Sequence, residues 1–185
     1  MDLIRKCQNG TKIYRDGNVA YKYGKDAKKE YEILKDMDHP NIIKVYSYKT
    51  TENLGKCLAM EYFEGEYLVI PTDKQLAMLK SAIKYIHSKG YKHNDLMAYN
   101  ILQDGETIKI IDFGNAGPFE LLAKDVEGCK REDLANFKLF EDNNNELKRR
   151  LNHGGKSSPG SNTGKSSPGN TRSKRNTNST STSRK

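Results

Sequence analysis

The sequence lacks most of what would make a secreted, metal-stapled or membrane protein. Its 185 residues include three cysteines, Cys7, Cys57 and Cys129. They are odd in number and far apart, and none falls in a Cys-x-x-Cys or Cys/His cluster. That argues against both a disulfide framework and a zinc site. No apolar run approaches the roughly 20 residues needed to cross a bilayer, and the N-terminus lacks the apolar core of a signal peptide. The expected setting is soluble, reducing and intracellular: cytoplasmic, with the nucleus left open and no membrane among the partners. The last 32 residues, Gly154 to Lys185, contain no acid, no aromatic and almost nothing apolar.

What that stretch does contain is Gly, Ser, Thr, Asn and Pro, with four Lys and three Arg that supply +7 of the formal net charge of +8. The basic character therefore belongs to the tail, and residues 1–153 are close to neutral. Such a composition cannot bury enough apolar surface to offset chain entropy. The expected organisation is one folded domain over 1–153 and a disordered basic tail over 154–185. The tail repeats Gly-Lys-Ser-Ser-Pro-Gly at 155–160 and 164–169. It reads either as a solvated linker or as a basic arm for nucleic acid or an acidic partner.

In the folded part, Leu3 to Cys7, Thr11 to Tyr14 and Val19 to Tyr23 read as short strands. They are separated by Asn9-Gly10 and Asp16-Gly17-Asn18, both tight-turn signals. A helix is expected from Asp26 to Met37, capped by Asp26 and stopped before His39-Pro40, with Ala27, Tyr31, Leu34 and Met37 on its buried face. Glu30 lies on that same face. An inward carboxylate needs a cation, and Lys22 in the preceding strand is the nearest candidate. Ile42 to Tyr48 and Lys56 to Tyr62 complete a five-stranded sheet. Thr72 and Gln75 have capping-box spacing at the head of a second helix, whose stripe is Leu76, Leu79, Ile83 and Ile86 and whose stop is Gly90.

The densest chemistry runs from His93 to Gly114. Ile101-Leu102 and Thr107 to Ile111 read as strands joined by an Asp104-Gly105 turn, so a hairpin brings Asn100 and Asp112 to one end. An amide and a carboxylate there are oxygen ligands of the kind Mg²⁺ prefers. Asp95, five residues before Asn100, is near enough to accept a proton from a substrate hydroxyl. An amphipathic segment follows from Glu132 to about Leu151, with Leu134, Phe137 and Phe140 on one side and the Asn143-Asn144-Asn145 run as a candidate break.

His93-x-Asp95-x-x-x-x-Asn100 followed by Asp112-Phe113-Gly114 resembles the catalytic loop and metal-binding motif of protein kinases. The resemblance implies an α+β, two-lobed fold: a five-stranded antiparallel N-lobe sheet with one helix, and an abbreviated, mainly helical C-lobe. It implies ATP- and Mg²⁺-dependent phosphoryl transfer to a protein hydroxyl, with Ser/Thr favoured. Asp95 would be the catalytic base, and Asn100 and Asp112 would hold the metal. Lys22, in Val-Ala-Tyr-Lys, would be held by Glu30 on the ATP phosphates. Met60 to Gly65 resembles the hinge, where backbone groups at Glu61 and Phe63 would bind adenine. Gly10 is what remains of the phosphate-binding glycine loop. His93 would be architectural, and Asp133 either caps its helix or hydrogen-bonds the catalytic loop.

The chain also departs from the family. Two of the three loop glycines are missing, Met97 replaces a lysine, and no Ala-Pro-Glu is visible. Asn94 stands in place of the arginine that pairs with a phosphorylated activation segment, and 115–132 contains no Ser, Thr or Tyr. The two absences agree, and imply no phosphorylation switch there. The sequence ends soon after one C-lobe helix. Such compaction resembles the minimal kinases of large DNA viruses, which would place it in host cytoplasm or virion, or the small atypical kinase of tRNA-modification complexes. Two other readings compete. His-Asn-Asp-Leu also resembles choline and aminoglycoside kinases, and the reduced glycine loop suits a nucleotide-binding pseudokinase.

Overall fold

The computed structural model describes residues 1–119 and 126–154. Five strands come from the first third of the chain: β1 (Asp2–Lys6), β2 (Lys12–Asp16), β3 (Val19–Tyr23), β4 (Val45–Thr51) and β5 (Gly55–Glu61). They form one antiparallel sheet in the order β1-β2-β3-β5-β4. Its single helix, α1 (Ala27–Leu34), crosses from β3 to β4. The tight turns fall where their glycines allow, with Gly10 and Gly17 at φ +85° and +55°.

Three details of this lobe differ from the sequence reading. Asp26 does precede α1, but its backbone is helical and its side chain makes no capping bond. The buried face of α1 is Ala27, Glu30, Ile33 and Leu34; Tyr31 is only half-buried and stacks on Tyr48. The β4 strand begins at Val45 and not at Ile42, because residues 41–43 turn toward the other lobe. There Ile43 N–H donates to Ile110 O at 3.0 Å, Ile110 N–H to Asn41 O at 2.9 Å, and the Asn41 amide to Ile108 O at 3.0 Å. The backbone polar groups of this crossing are thus paired, as burial demands.

The second lobe contains β6 (Glu66–Tyr67), α2 (Asp73–Ser88), β7 (Tyr91–Lys92), β8 (Ile101–Asp104), β9 (Thr107–Ile110), β10 (Gly117–Pro118) and α3 (Val126–Gly154). The capping box forms as the spacing requires: Gln75 N–H donates to Thr72 Oγ1 at 3.2 Å, and Thr72 N–H to Gln75 Oε1 at 2.9 Å. Gly90, at φ +81°, ends the helix. The β8–β9 hairpin turns on Gly105-Glu106, one residue later than the sequence suggested, and pairs Ile101 with Ile110.

The asparagine run does not break α3, which continues through it. Asn144 is buried there and donates to Asp73 Oδ1 at 2.7 Å, while Lys148 holds the same carboxylate. A residue that disfavours the helix interior is thereby retained by a tertiary bond. Leu79, Ala82, Ile83 and Ile86 of α2, Leu96, the strands of the hairpin, Phe113, and Phe137 and Phe140 of α3 form one core that reaches Ile33 and Leu34 of α1. Among the described residues no helix is long and apolar enough to cross a membrane. Of the tail 154–185, only Gly154 lies within the described residues.

Candidate active site

A cleft of about 960 Å³ lies between the lobes, and it collects most of the residues that the sequence singled out. Lys22, Glu30, Glu61, Phe63, Asp95, Asn100 and Asp112 all line it. Gly10 does not; it sits at the tip of the β1–β2 turn, while its neighbours Asn9 and Thr11 face the cleft.

On the sheet side, the period-two alternation of β3 points Ala20 and Lys22 inward. Lys22 Nζ donates to Glu30 Oε1 at 2.6 Å and to Asp112 Oδ1 at 2.8 Å, so one ammonium joins β3, α1 and the loop after β9. Glu30 is almost wholly buried. Burial pulls the Lys22 pKa down, but the two carboxylates outweigh it and hold the group above its ordinary range, so the ammonium stays charged. Burial pushes Glu30 up against the attraction of Lys22. Burial would also raise Asp112, yet the Lys22 charge, its hydrogen bond and the Gly114 N–H hold that carboxyl below the ordinary value.

On the opposite side, Asp95 is held by three donors. Tyr99 Oη donates to Oδ1 at 2.7 Å, Asn100 Nδ2 to Oδ2 at 3.0 Å, and Asn115 Nδ2 to Oδ2 at 3.3 Å. Asn100 Nδ2 also reaches the Asp95 carbonyl at 2.8 Å, which fixes the orientation of the amide. With its nitrogen committed to Asp95, the Asn100 oxygen is left without a donor among the described residues. The hairpin register brings Asn100 beside Asp112, since Ile111 N–H donates to Asn100 O at 2.9 Å. One amide oxygen and one carboxylate oxygen on adjacent chain ends suit a hard cation such as Mg²⁺. They would not suit a soft or nitrogen-ligated ion, and the described residues contain no cluster of His, Cys, Asp and Glu for one.

The loop is held from behind. Asp133, the residue whose role the sequence left open, lies inside α3 and accepts from His93 N–H at 2.9 Å, Asn94 N–H at 3.1 Å and His87 Nε2 at 3.0 Å. Burial would raise this carboxyl, but His87 and the two backbone N–H groups hold it below its ordinary value. His93 is fully buried, edge-on to Phe113 with ring centres 4.6 Å apart. Burial lowers its pKa, leaving a neutral ring that places Nε2 3.2 Å from Ile111 O. The ring is enclosed in the core and does not line the cleft.

Asn94 and Asp112 have φ of +65° and +61°, and both lie at the site. Asn and Asp tolerate the left-handed region better than other L-residues. Such strain persists only where surroundings impose it. Here the Asp133 carboxylate grips one position, and Lys22 with Gly114 grips the other.

At the hinge, Glu61 N–H is taken by Lys44 O and Tyr62 N–H by Asn18 O, so the chain leaves the sheet at Phe63. The Glu61 side chain pairs with Lys109, at 2.9 Å. Several contacts escaped the sequence reading. They are Tyr99 and Asn115 on Asp95, Lys29 on Gly114 O at 2.9 Å, and the Arg5–Tyr67 bond across the cleft mouth. The i, i+4 spacing of Asp95 and Tyr99 was the one available signal. The others join segments too distant in sequence to announce themselves.

A five-stranded sheet with one helix, set on a helical lobe with charged groups gathered between them, is the architecture of the protein kinase fold. The protein kinase domain family model matches residues 6–129, and the chain belongs to that family. It is 32% identical over 154 residues to a probable myosin light chain kinase of Dictyostelium discoideum, an alignment covering 68% of this chain and 49% of that one. It is 40% identical over 103 residues to calcium-dependent protein kinase 5 of Plasmodium berghei, covering 48% and 18%. It is 33% identical over 99 residues to human testis-specific serine/threonine-protein kinase 3, covering 48% and 37%. The chain thus spans half or less of the length of these curated relatives.

Proposed function

We propose that this domain transfers the γ-phosphoryl group of ATP, with Mg²⁺, to a protein serine or threonine hydroxyl. The observation that carries the reading is the Lys22 ammonium, buried yet charged, bridging Glu30 and Asp112 in a cleft whose other wall presents Asp95 and Asn100. A cation fixed at that depth is already arranged to meet phosphate oxygens, and its alignment needs no further ordering when the nucleotide arrives. Glu30 holds the Lys22 ammonium at 2.6 Å. The backbone of Glu61 to Phe63 would receive adenine, and Asn9 and Thr11 on the β1–β2 turn would lie over the phosphates.

Mg²⁺ bound by Asn100 Oδ1 and Asp112 would neutralise charge developing on the phosphate oxygens. Asp95 orients the acceptor hydroxyl and takes its proton, and Asn100 and Asn115 keep the carboxylate aimed. The serine/threonine assignment follows relatives such as the human testis-specific serine/threonine-protein kinase 3. We further infer that no phosphorylated activation segment switches the site. Asn94 offers an amide, donated to Asn115 O at 3.4 Å, where a phosphate would need a guanidinium. The basic tail is proposed as an arm for nucleic acid or an acidic partner. Unchanged salt-dependent binding after deletion of 154–185 would remove that idea.

A second reading, nucleotide binding without transfer, is favoured by Gly10 lying off the cleft with no other glycine in the turn. One experiment separates the two. Purified protein is incubated with labelled ATP and Mg²⁺ beside Asp95→Asn and Lys22→Ala, and transfer to itself and to a basic protein is counted. The expected result is a loss of about 100-fold or more in both variants. Equal background in all three would defeat the transfer reading and leave the binding one.

A further inference from the structure

Tyr99 has no part in the proposed chemistry, yet its phenol makes the contact that an acceptor hydroxyl must make. Its Oη donates to Asp95 Oδ1 at 2.7 Å, within the reach expected between a general base and the proton it abstracts. The residue lines the nucleotide cleft directly before Asn100, and its side chain is not packed away: Tyr99 is 49% exposed. The ring can therefore turn about χ1 and χ2 without opening the core. Tyr46 provides a built-in contrast. It is 50% exposed but lies on β4, away from this cleft.

We propose that Tyr99 is a phosphoacceptor within its own active site, modified in cis by the ATP bound beside it. This rests on the transfer reading and deepens it, because it names a phenol as an acceptor that the site already holds. In the step, the bond between Tyr99 Oη and the γ-phosphorus forms, and the bond from that phosphorus to the β,γ-bridging oxygen breaks. ADP leaves with the electron pair on its terminal oxygen, and the phenolic proton passes to Asp95. The product places a phosphate of charge about −1.5 to −2 next to Asp95 and Asp112. Like charges at that range disfavour a second ATP, so the modification limits the activity of the molecule that makes it.

The test uses the full chain with ATP and Mg²⁺, followed by peptide mass spectrometry. Trypsin releases residues 93–109, in which Tyr99 and Thr107 are the only hydroxyl side chains, and fragmentation tells them apart. The expected result is phosphate on Tyr99 at a fractional rate that does not change as the protein is diluted. Tyr46 stays unmodified, and both Asp95→Asn and Tyr99→Phe lack the Tyr99 label. Phosphate on tail serines or on an added protein with Tyr99 bare overturns this inference and leaves the transfer reading standing. A rate that rises with protein concentration, or equal labelling of Tyr46, overturns modification in cis. No phosphate on any residue or added protein defeats both.

Discussion

The floor of the cleft is set in buried polar structure, whereas its roof is an edge strand in solvent. On the floor, His93 is fully buried and Asp133 nearly so, and the carboxylate of Asp133 ties three donors to a 29-residue helix. On the roof, all five residues of β1 are exposed, including Leu3 and Ile4, and the register of β1 on β2 is interrupted between Leu3 and Arg5. The link from roof to floor at the mouth of the cleft is the exposed Arg5–Tyr67 contact. The difference fits the proposed function. Groups that would handle a proton and a metal need position held to a fraction of an ångström. A wall that would admit nucleotide needs to open.

If the floor is rigid because of Asp133, removing that carboxylate should have the largest effect on folding. Asp133→Ala leaves two backbone N–H groups and His87 without their acceptor, at a cost of about 3 kcal/mol or more. Urea denaturation will read it, and a loss under 1 kcal/mol would mean that the floor is held by its apolar packing alone. Acid should attack the same place. The Asp133 and Asp112 carboxyls are held below the ordinary 3.8 in the fold. Their contribution to stability is therefore complete above the unfolded value and lost as pH falls through the lower folded one. Asp133→Asn should flatten that acid limb in a series of melts, and an unaltered limb would assign the acid sensitivity elsewhere.

The head of α2 gives a smaller effect. Thr72→Ala removes one half of a formed capping box and should cost about 1 kcal/mol, again by denaturation. The roof gives the smallest. Arg5→Ala removes an exposed contact and should change stability by no more than about 0.5 kcal/mol. Its effect should appear instead as faster ATP release in stopped flow. A large stability loss at Arg5 would show that the two walls are less different than their burial suggests.

The floor was more legible than the roof, and for a physical reason. The protein kinase motif has fixed residue types at fixed local spacing, so Asp95, Asn100 and Asp112 could be singled out within 18 residues, and the fold brings all three to one cleft. The Lys22–Glu30 pair was also readable, because helical periodicity put Glu30 on the buried face and an inward carboxylate requires a cation. The capping box at Thr72 was local and formed as read. The sequence could not say whether Asp133 caps or grips, since its three partners lie 39 to 46 residues away. The continuity of α3 through its asparagines was hidden for the same reason. Asn144 remains helical because of Asp73, 71 residues earlier. At Asp26 the sequence suggested a cap that the backbone conformation does not use.

The most direct test of the account is calorimetric titration of ATP with and without Mg²⁺, on the wild type and on Asp112→Asn. If floor and roof close on one nucleotide through a cation at Asn100 and Asp112, Mg²⁺ tightens ATP binding to the wild type by about tenfold or more, some 1.4 kcal/mol. In Asp112→Asn that gain disappears while weak metal-free binding persists. The same affinity with and without Mg²⁺ in the wild type, or an undiminished gain in the variant, would contradict it.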